Sequence, residues 1–385
     1  MGRIAVAPDR GGGAPARRLA VPADPCVRIA VRAGAPAGLG GEWAALADRA
    51  AEPNPFAEHW FIAASLPAMA GREIRFLEAR RAGRLIGILP VTVERGYARL
   101  PVRFVQNWCH DQMFLGTPLV EAGEERAFWT AVLDALDDAD WAPNFLHVKG
   151  LVEGGAVHRG LIEARACAIV HREVRAFLES DLDPQAYYEQ AVRQKKRKEL
   201  RRLRNRLADE GEVRAHILDD EAELDAWCDT FLVLEKSGWK GAAGTALACR
   251  PPTSDFFRDA VRGAWDAGRL QFRRLDVGTR TIAMLVNFLC PPGSFSFKTV
   301  FDEDYSRFSP GVLIQLDNLD ILANPDIAWM DSCAVEDHPM IDSLWTGRRS
   351  IVRVTVPLNG ARRRAAFALC RALERGSAGF RKLVR

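Results

Sequence analysis

No two cysteines in this sequence are spaced as CxxC, and the eight present (Cys26, Cys109, Cys167, Cys228, Cys249, Cys290, Cys333 and Cys370) are scattered. That pattern gives neither a zinc site nor a disulfide framework, so reduced thiols and no metal are expected. No run approaches the roughly 18 apolar residues that a membrane-spanning helix needs. The first 25 residues are rich in Gly, Ala, Pro and Arg without an apolar core, which does not read as a signal peptide. They are expected to form a disordered tail. An excess of one charge is also missing: 53 Lys and Arg face 50 Asp and Glu, a formal net charge of +3. No global field argues for nucleic acid as a partner. These absences suit a cytoplasmic chain, at most peripheral to the inner membrane. With 48% hydrophobic and 27% charged residues over 385 positions, the chain has the composition of a soluble globular protein and length for two or three domains.

Periodicity predicts alternating helices and hairpins. Strands are expected at 26–31, 74–80, 85–93, 102–108 and 145–149, with helices at 42–51, 55–66, 124–136 and 157–166. A second series follows: a connecting strand at 169–178, a long helix over 184–209, and helices over 221–234 and 253–267. A hairpin of 270–276 with 282–289 comes next, then strands at 327–330 and 351–357 and an amphipathic helix at 362–374. Phe76 to Val91 weakly repeats in Phe272 to Val286, hairpin for hairpin. The expectation is a duplicated α/β (α+β) unit, each copy a mixed, largely antiparallel sheet flanked by helices. The boundaries expected are a tail over 1–25, an N-terminal unit over 26–168, a C-terminal unit over 169–358, and a terminal helix over 359–385.

One stretch carries the most chemistry: Ser294 to Leu322, SFSFKTVFDEDYSRFSPGVLIQLDNLDIL. It opens with alternation, Phe295, Phe297 and Thr299 to one face and Ser296, Lys298 and Val300 to the other. Ser309-Pro310-Gly311 then turns the chain into a helix, with Pro310 suited to its first turn. Strand, tight turn and helix leave unpaired N–H groups at the positive end of a helix dipole, an anion site most often used for phosphate.

That order, placed after a β-hairpin, resembles the acyl-CoA pyrophosphate site of GNAT N-acyltransferases. More narrowly it resembles BioF2-like (CelD-like) acetyltransferases, tandem GNAT proteins related to FemAB. The resemblance rests on Arg193 to Gly211, on Leu234 to Leu247 (LEKSGWKGAAGTAL), on the hairpin with Ile282-Ala283, and on Phe301 to Leu313 (FDEDYSRFSPGVL). It implies tandem GNAT-like domains with acyl-CoA as co-substrate and an amine as acceptor, a polysaccharide sugar or a lipid such as a sphingoid base. An aminoacyl-tRNA donor, or a non-catalytic adaptor for RNA or membrane, is the alternative it leaves. Of the usual Gly-x-Gly/Ala loop only Gly311 remains.

Carried onto this sequence, the resemblance implies that Arg307, Phe308, Ser309, Gly311, Val312 and Leu313 hold the pyrophosphate, with Lys298 beside the thioester. A backbone N–H within Phe297 to Val300 would polarise the carbonyl. Candidates for proton transfer are His338, Asp331, Glu336 and Tyr305; an imidazole has the intrinsic pKa for an ammonium proton. Glu235, Trp239 and Lys240 form one candidate acceptor wall, and Trp108 and His110 another. The helix from Lys195 to Arg206 sets eight basic residues around Leu200, Leu203 and Leu207, which suits an anionic membrane surface.

Overall fold

The computed structural model describes residues 26–34, 38–97 and 100–383, with side chains through 374. The tail expected over 1–25 lies outside the described residues.

Among the described residues, thirteen strands form one sheet. They are β1 (Arg28–Ala33), β2 (Arg75–Arg81), β3 (Arg84–Tyr97), β4 (Leu100–Asn107), β5 (Leu119–Val120), β6 (Phe145–Val152), β7 (Ala168–Glu179), β8 (Val213–Ile217), β9 (Leu270–Val277), β10 (Arg280–Cys290), β11 (Gly293–Phe301), β12 (Trp329–Asp331) and β13 (Gly347–Pro357). The helices are α1 (Gly40–Ala47), α2 (His59–Met69), α3 (Glu125–Asp138), α4 (Ala156–Ala164), α5 (Pro184–Ala191), α6 (Gln194–Ala208), α7 (Leu224–Ser237), α8 (Trp239–Ala242), α9 (Pro251–Asp266), α10 (Pro310–Asp317), α11 (Pro339–Asp342) and α12 (Ala361–Leu383).

The strand order is β1-β2-β3-β4-β6-β13-β7-β12-β11-β10-β9-β8, with β5 beside β3. Read from each edge to the centre, the two halves match: four antiparallel strands, a parallel neighbour, then an antiparallel one. The parallel pairs are β4 with β6 and β11 with β12, and every other pairing is antiparallel. The central strands are exchanged. β7 follows the first half in sequence yet pairs with β12, while β13 closes the second half yet pairs with β6. Their mutual pairing from Gly347↔Phe177 to Thr355↔Ala168 fuses the two halves into one sheet.

Helices of both halves share one apolar layer. Phe61 of α2 meets Phe256 of α9 at 5.5 Å between ring centroids, and Trp60 meets Phe288 of β10 at 5.0 Å. Rings buried on this scale contribute about 1.5–3 kcal/mol each and fix α2 onto the second half.

Two elements differ from the periodicity. The helix expected over 184–209 is two, because Val192 turns to an extended conformation between α5 and α6 and buries its side chain. Asp183 starts α5 by accepting from the N–H groups of Gln185 and Ala186, 2.9 Å each. The helix expected past Gly311 ends as α10 at Asp317, and a 3-10 turn carries Asn318 to Ala323. Among the described residues, no helix is long and apolar enough to cross a membrane, and no three His, Cys, Asp or Glu side chains gather as a metal site.

Candidate active site

The parallel strands β11 and β12 pair only from Gly293↔Trp329 to Phe295↔Asp331. Beyond Phe295 the two diverge, so the edge of β11 from Ser296 to Phe301 has no β12 neighbour. In the first half the matching gap, after Gln106↔His147, is stopped by the chain itself. Asn107 donates to the carbonyls of Gly116 and Lys149, both 2.9 Å, and accepts from Lys149 N–H at 2.8 Å. At the second gap, α10 packs on β11 through Gln315, and Gly311 lies against Phe301.

At this gap β11 carries a bulge. Val286 pairs with Lys298 and Asn287 with Ser296, which leaves Phe297 as the extra residue. The strict alternation expected for 295–300 fails there. Phe295, Phe297 and Val300 lie in one core with α7 and α9, while Ser296 and Thr299 both accept from Gln315 of α10 at 3.1 Å. Lys298 therefore stays beside Phe297, its Nζ 5.2 Å from that ring and 5.9 Å from Phe114 of the first half. Burial pushes the Lys298 ammonium down to about 8, nearby Lys240 adds to the fall, and Glu235 opposes it. Glu235 is buried, holds Lys240 Nζ at 3.2 Å, and accepts from Leu247 N–H at 2.8 Å. Trp239 is largely exposed, and its N–H donates to Glu303 at 2.6 Å, which ties the glycine-rich segment to the end of β11. Glu235, Trp239 and Lys240 thus gather around a small cavity of about 40 Å³ with Thr299 and Phe301.

The turn into α10 has fewer free donors than its sequence suggests. Ser309 sits at φ +54, and its carbonyl accepts from both Val312 and Leu313 N–H, at 2.9 and 3.1 Å. Ser309 N–H donates to Ser306, so among the described residues Gly311 N–H is left without a protein partner at the start of α10. A Cβ on Gly311 would stand 3.0 Å from Met340 Sδ and 3.2 Å from the Phe301 ring. A larger residue there would press on α11 through the Met340 side chain and on the Phe301 ring. Arg307 stacks on Phe308 at 4.7 Å and pairs with Glu210 at 2.7 Å. Tyr305 lies under Arg280, 5.2 Å from its ring.

Asp331 is wholly buried between two arginines, 2.7 Å from Arg175 Nε and 3.0 Å from Arg349 Nη1, and it accepts from Cys333 N–H at 2.9 Å. Burial pushes its carboxyl up, but the two guanidinium groups outweigh that and hold it below its ordinary value. Such a carboxylate takes no proton near neutrality; it positions. Arg175 also donates to the carbonyl of Phe114 at 2.7 Å, so Asp331 holds Arg175, and Arg175 holds the loop that brings Phe114 to Lys298. Glu336 is exposed. His338 precedes α11, and its Nδ1 is buried without a hydrogen-bond partner. His110 lines a second cavity and stacks on Phe61 at 6.0 Å, and burial lowers its pKa to about 3, so it is neutral. Trp108 is buried in the first-half core instead.

Phe114, Arg175 and Arg349 were not legible as site residues. Nothing in REVRAFLES marks Arg175 as the inward partner of a carboxylate some 150 positions later.

The sequence of residues 194–337 matches a family profile described as "Acetyltransferase (GNAT) domain". No curated protein sequence matches the chain. Among solved structures, FemX shares the fold with a TM-score of 0.58 at 10% identity, covering 85% of this chain and 98% of FemX. A conserved protein of unknown function from Bacteroides thetaiotaomicron VPI-5482 matches with a TM-score of 0.54 at 10% identity, over 85% of this chain and 99% of that one. A tandem GNAT protein from the clavulanic acid biosynthesis pathway matches at 0.44 and 16% identity, over 87% of this chain and all of that one. Residues 194–337 thus match a GNAT-type acetyltransferase domain, and the chain as a whole has a FemX-like α/β fold.

Proposed function

We propose that this protein is an N-acyltransferase that moves an acyl group from an acyl-CoA (or acyl-carrier) thioester to an amine, in the gap between β11 and β12. The observation that carries the reading is the bulge at Phe297, which sets an amine of depressed pKa, Lys298, beside an unpaired strand edge opposite the start of α10. In this reading the unit 169–358 holds the donor, and the unit 26–168 supplies an acceptor wall through Phe114 and His110. Gly311 N–H, with Arg307, takes the pyrophosphate, and His338 borders it through α11. An N–H of the free β11 edge takes the thioester oxygen. The acceptor amine attacks the carbonyl carbon, the C–N bond forms, and the C–S bond breaks. Neutral Lys298 accepts the amine's proton and passes it to the departing thiolate, so the protein ends unchanged. The acceptor is an amine on a sugar or a lipid, and a lipid acceptor fits the exposed basic face of α6, where Lys195, Lys198, Arg201, Arg202 and Arg206 have no carboxylate partner among the described residues.

Calorimetry with CoA, acetyl-CoA and a long-chain acyl-CoA tests the donor. Saturable binding that weakens at least tenfold in Gly311→Val is expected. If none of the three binds to the wild-type protein, the acyl-CoA donor is wrong, and an aminoacyl-tRNA donor becomes the next to measure.

A further inference from the structure

A cavity of about 220 Å³ opens at the centre of the sheet, next to the site above, and shares Phe114 and His110 with it. Its floor crosses three adjacent strands. Lys149 comes from β6, Arg353 from β13, and His171 and Glu173 from β7. Arg353 pairs directly with His171. On its other side it falls where the β13–β6 register slips, between Val352↔Leu151 and Val354↔Val148, so it faces Lys149 and Gly150. Basic residues on neighbouring strands repel, and sheets ordinarily avoid them or insert a carboxylate. Neither Lys149 nor Arg353 has a carboxylate partner among the described residues, whereas the nearby Arg175 and Arg349 are both committed to Asp331. Burial dominates at both neighbouring groups, pushing His147 down and the Cys109 thiol up, and both free cations act on the same spot beside it: each disfavours a positive charge on His147 and favours a negative one on Cys109.

The backbone keeps this space open. Gly150 lies at φ +74, and a Cβ there would stand 2.5 Å from Gly116 N. A Cβ on Gly116 would stand 2.1 Å from the Lys149 carbonyl. The two glycines let the loop from Cys109 to Gly116 lie flat beside β6 while Lys149 keeps its side chain in the cavity. Two acids line it as well. Glu173 is 4.0 Å from both His171 and Arg175, and Asp111 is exposed to solvent. Beside them the cavity suits one compact anion between two cations rather than an extended polyanion.

We propose that this cavity binds a phosphate ester carried by the amine acceptor, held between Lys149 and Arg353. Two separate cations match a phosphate dianion better than a single carboxylate, and the volume takes a phosphate with little more than its ester carbon chain. The proposal deepens the acyltransfer reading and rests on it for the word acceptor. The anion site puts the acceptor's charged group at one side of Phe114 while its amine reaches Lys298 at the other.

The test is calorimetry with inorganic phosphate on the wild-type protein, on Lys149→Met and Arg353→Met, and on Gly311→Val at the donor loop. Saturable binding that weakens tenfold or more in each cation variant, and is kept in Gly311→Val, is the expected result. Binding lost only in Gly311→Val, equal binding in all four proteins, or no saturable binding to the wild type would overturn the proposal. Circular dichroism controls for folding, and Lys149→Met, altered at a partly exposed side chain, decides the matter if Arg353→Met does not fold. Competition against inorganic phosphate by glycerol 3-phosphate marks a soluble ester as the source. Competition only by vesicles of phosphatidic acid in phosphatidylcholine marks a lipid headgroup. CoA binding is measured on the same proteins. Its absence everywhere would remove the acyl-CoA reading and leave the phosphate result standing.

Discussion

Replacing Lys298 by Met separates the cost of this residue from its use. An ordinary lysine titrates at 10.5, and here the value falls to about 8 because the ammonium is held against Phe297 and Phe114 with Lys240 nearby. At about 1.4 kcal/mol per tenfold change, that fall corresponds to about 3 kcal/mol against the charged form. Lys298 keeps some exposure to the cleft, so about 1–2 kcal/mol is the realistic share. The folded pKa lies below the unfolded one, so between pH 8 and 10.5 the unfolded chain binds the extra proton and stability rises with pH. Below pH 8 both states are protonated, and the folded protein bears the whole cost. Lys298→Met is therefore expected to be more stable than wild type by about 1–2 kcal/mol at pH 7, with the difference shrinking by pH 10. Urea denaturation at both pH values measures this. Acyl transfer should move the other way, falling by about 10²–10⁴ in kcat in both Lys298→Met and Lys298→Arg. In the wild type, kcat/KM should rise with a midpoint near pH 8. A Met variant that is less stable at pH 7, or an Arg variant with wild-type turnover, would refute the reasoning.

Other perturbations follow from the same geometry. Arg175→Met leaves Asp331 buried with one guanidinium in place of two, and should cost about 3–5 kcal/mol in chemical denaturation. The same variant should raise KM for the acceptor, because the Phe114 carbonyl loses its donor. Gly150→Ala forces a side chain onto a left-handed backbone and into Gly116 N, and should cost about 2–4 kcal/mol by the same assay. Arg201→Ala with Arg202→Ala should leave turnover of a soluble amine unchanged and weaken flotation with anionic vesicles, about 1 kcal/mol per charge and less at high salt. Arg204 is left intact in that variant because it pairs with Asp317 at 2.7 Å.

Much of the architecture was legible in the chain. Hairpins announced themselves by alternation around Ala82-Gly83 and Gly278-Thr279, and the helix of Leu224, Trp227, Cys228 and Phe231 by its spacing. The repeat of Phe76 to Val91 in Phe272 to Val286 foretold two like halves, and the matching strand orders agree with it. The segment Glu235 to Lys240 stood out in the sequence as an aromatic with two charges in a glycine-rich stretch, and the fold gathers its three side chains around one small cavity. Val192 was not readable as a break, because an apolar residue at helical spacing looks the same whether it continues a helix or anchors a turn.

Local order, then, was the sequence's own: period, turn chemistry and capping are set by neighbours within a few residues. What the tertiary structure decided was pairing across distance. The bulge at Phe297 exists only against β10, and the Lys298 pKa falls through burial, with Phe114 from the other half beside it, and through Lys240. Asp331, which looked like a base at the end of a strand, became a positioning residue once Arg175 and Arg349 arrived on the exchanged strands β7 and β13. Lys149 and Arg353 stand some 200 positions apart and meet only because β13 crosses to pair with β6. Charge and desolvation act through space, and a linear pattern carries no record of which distant side chain will supply them.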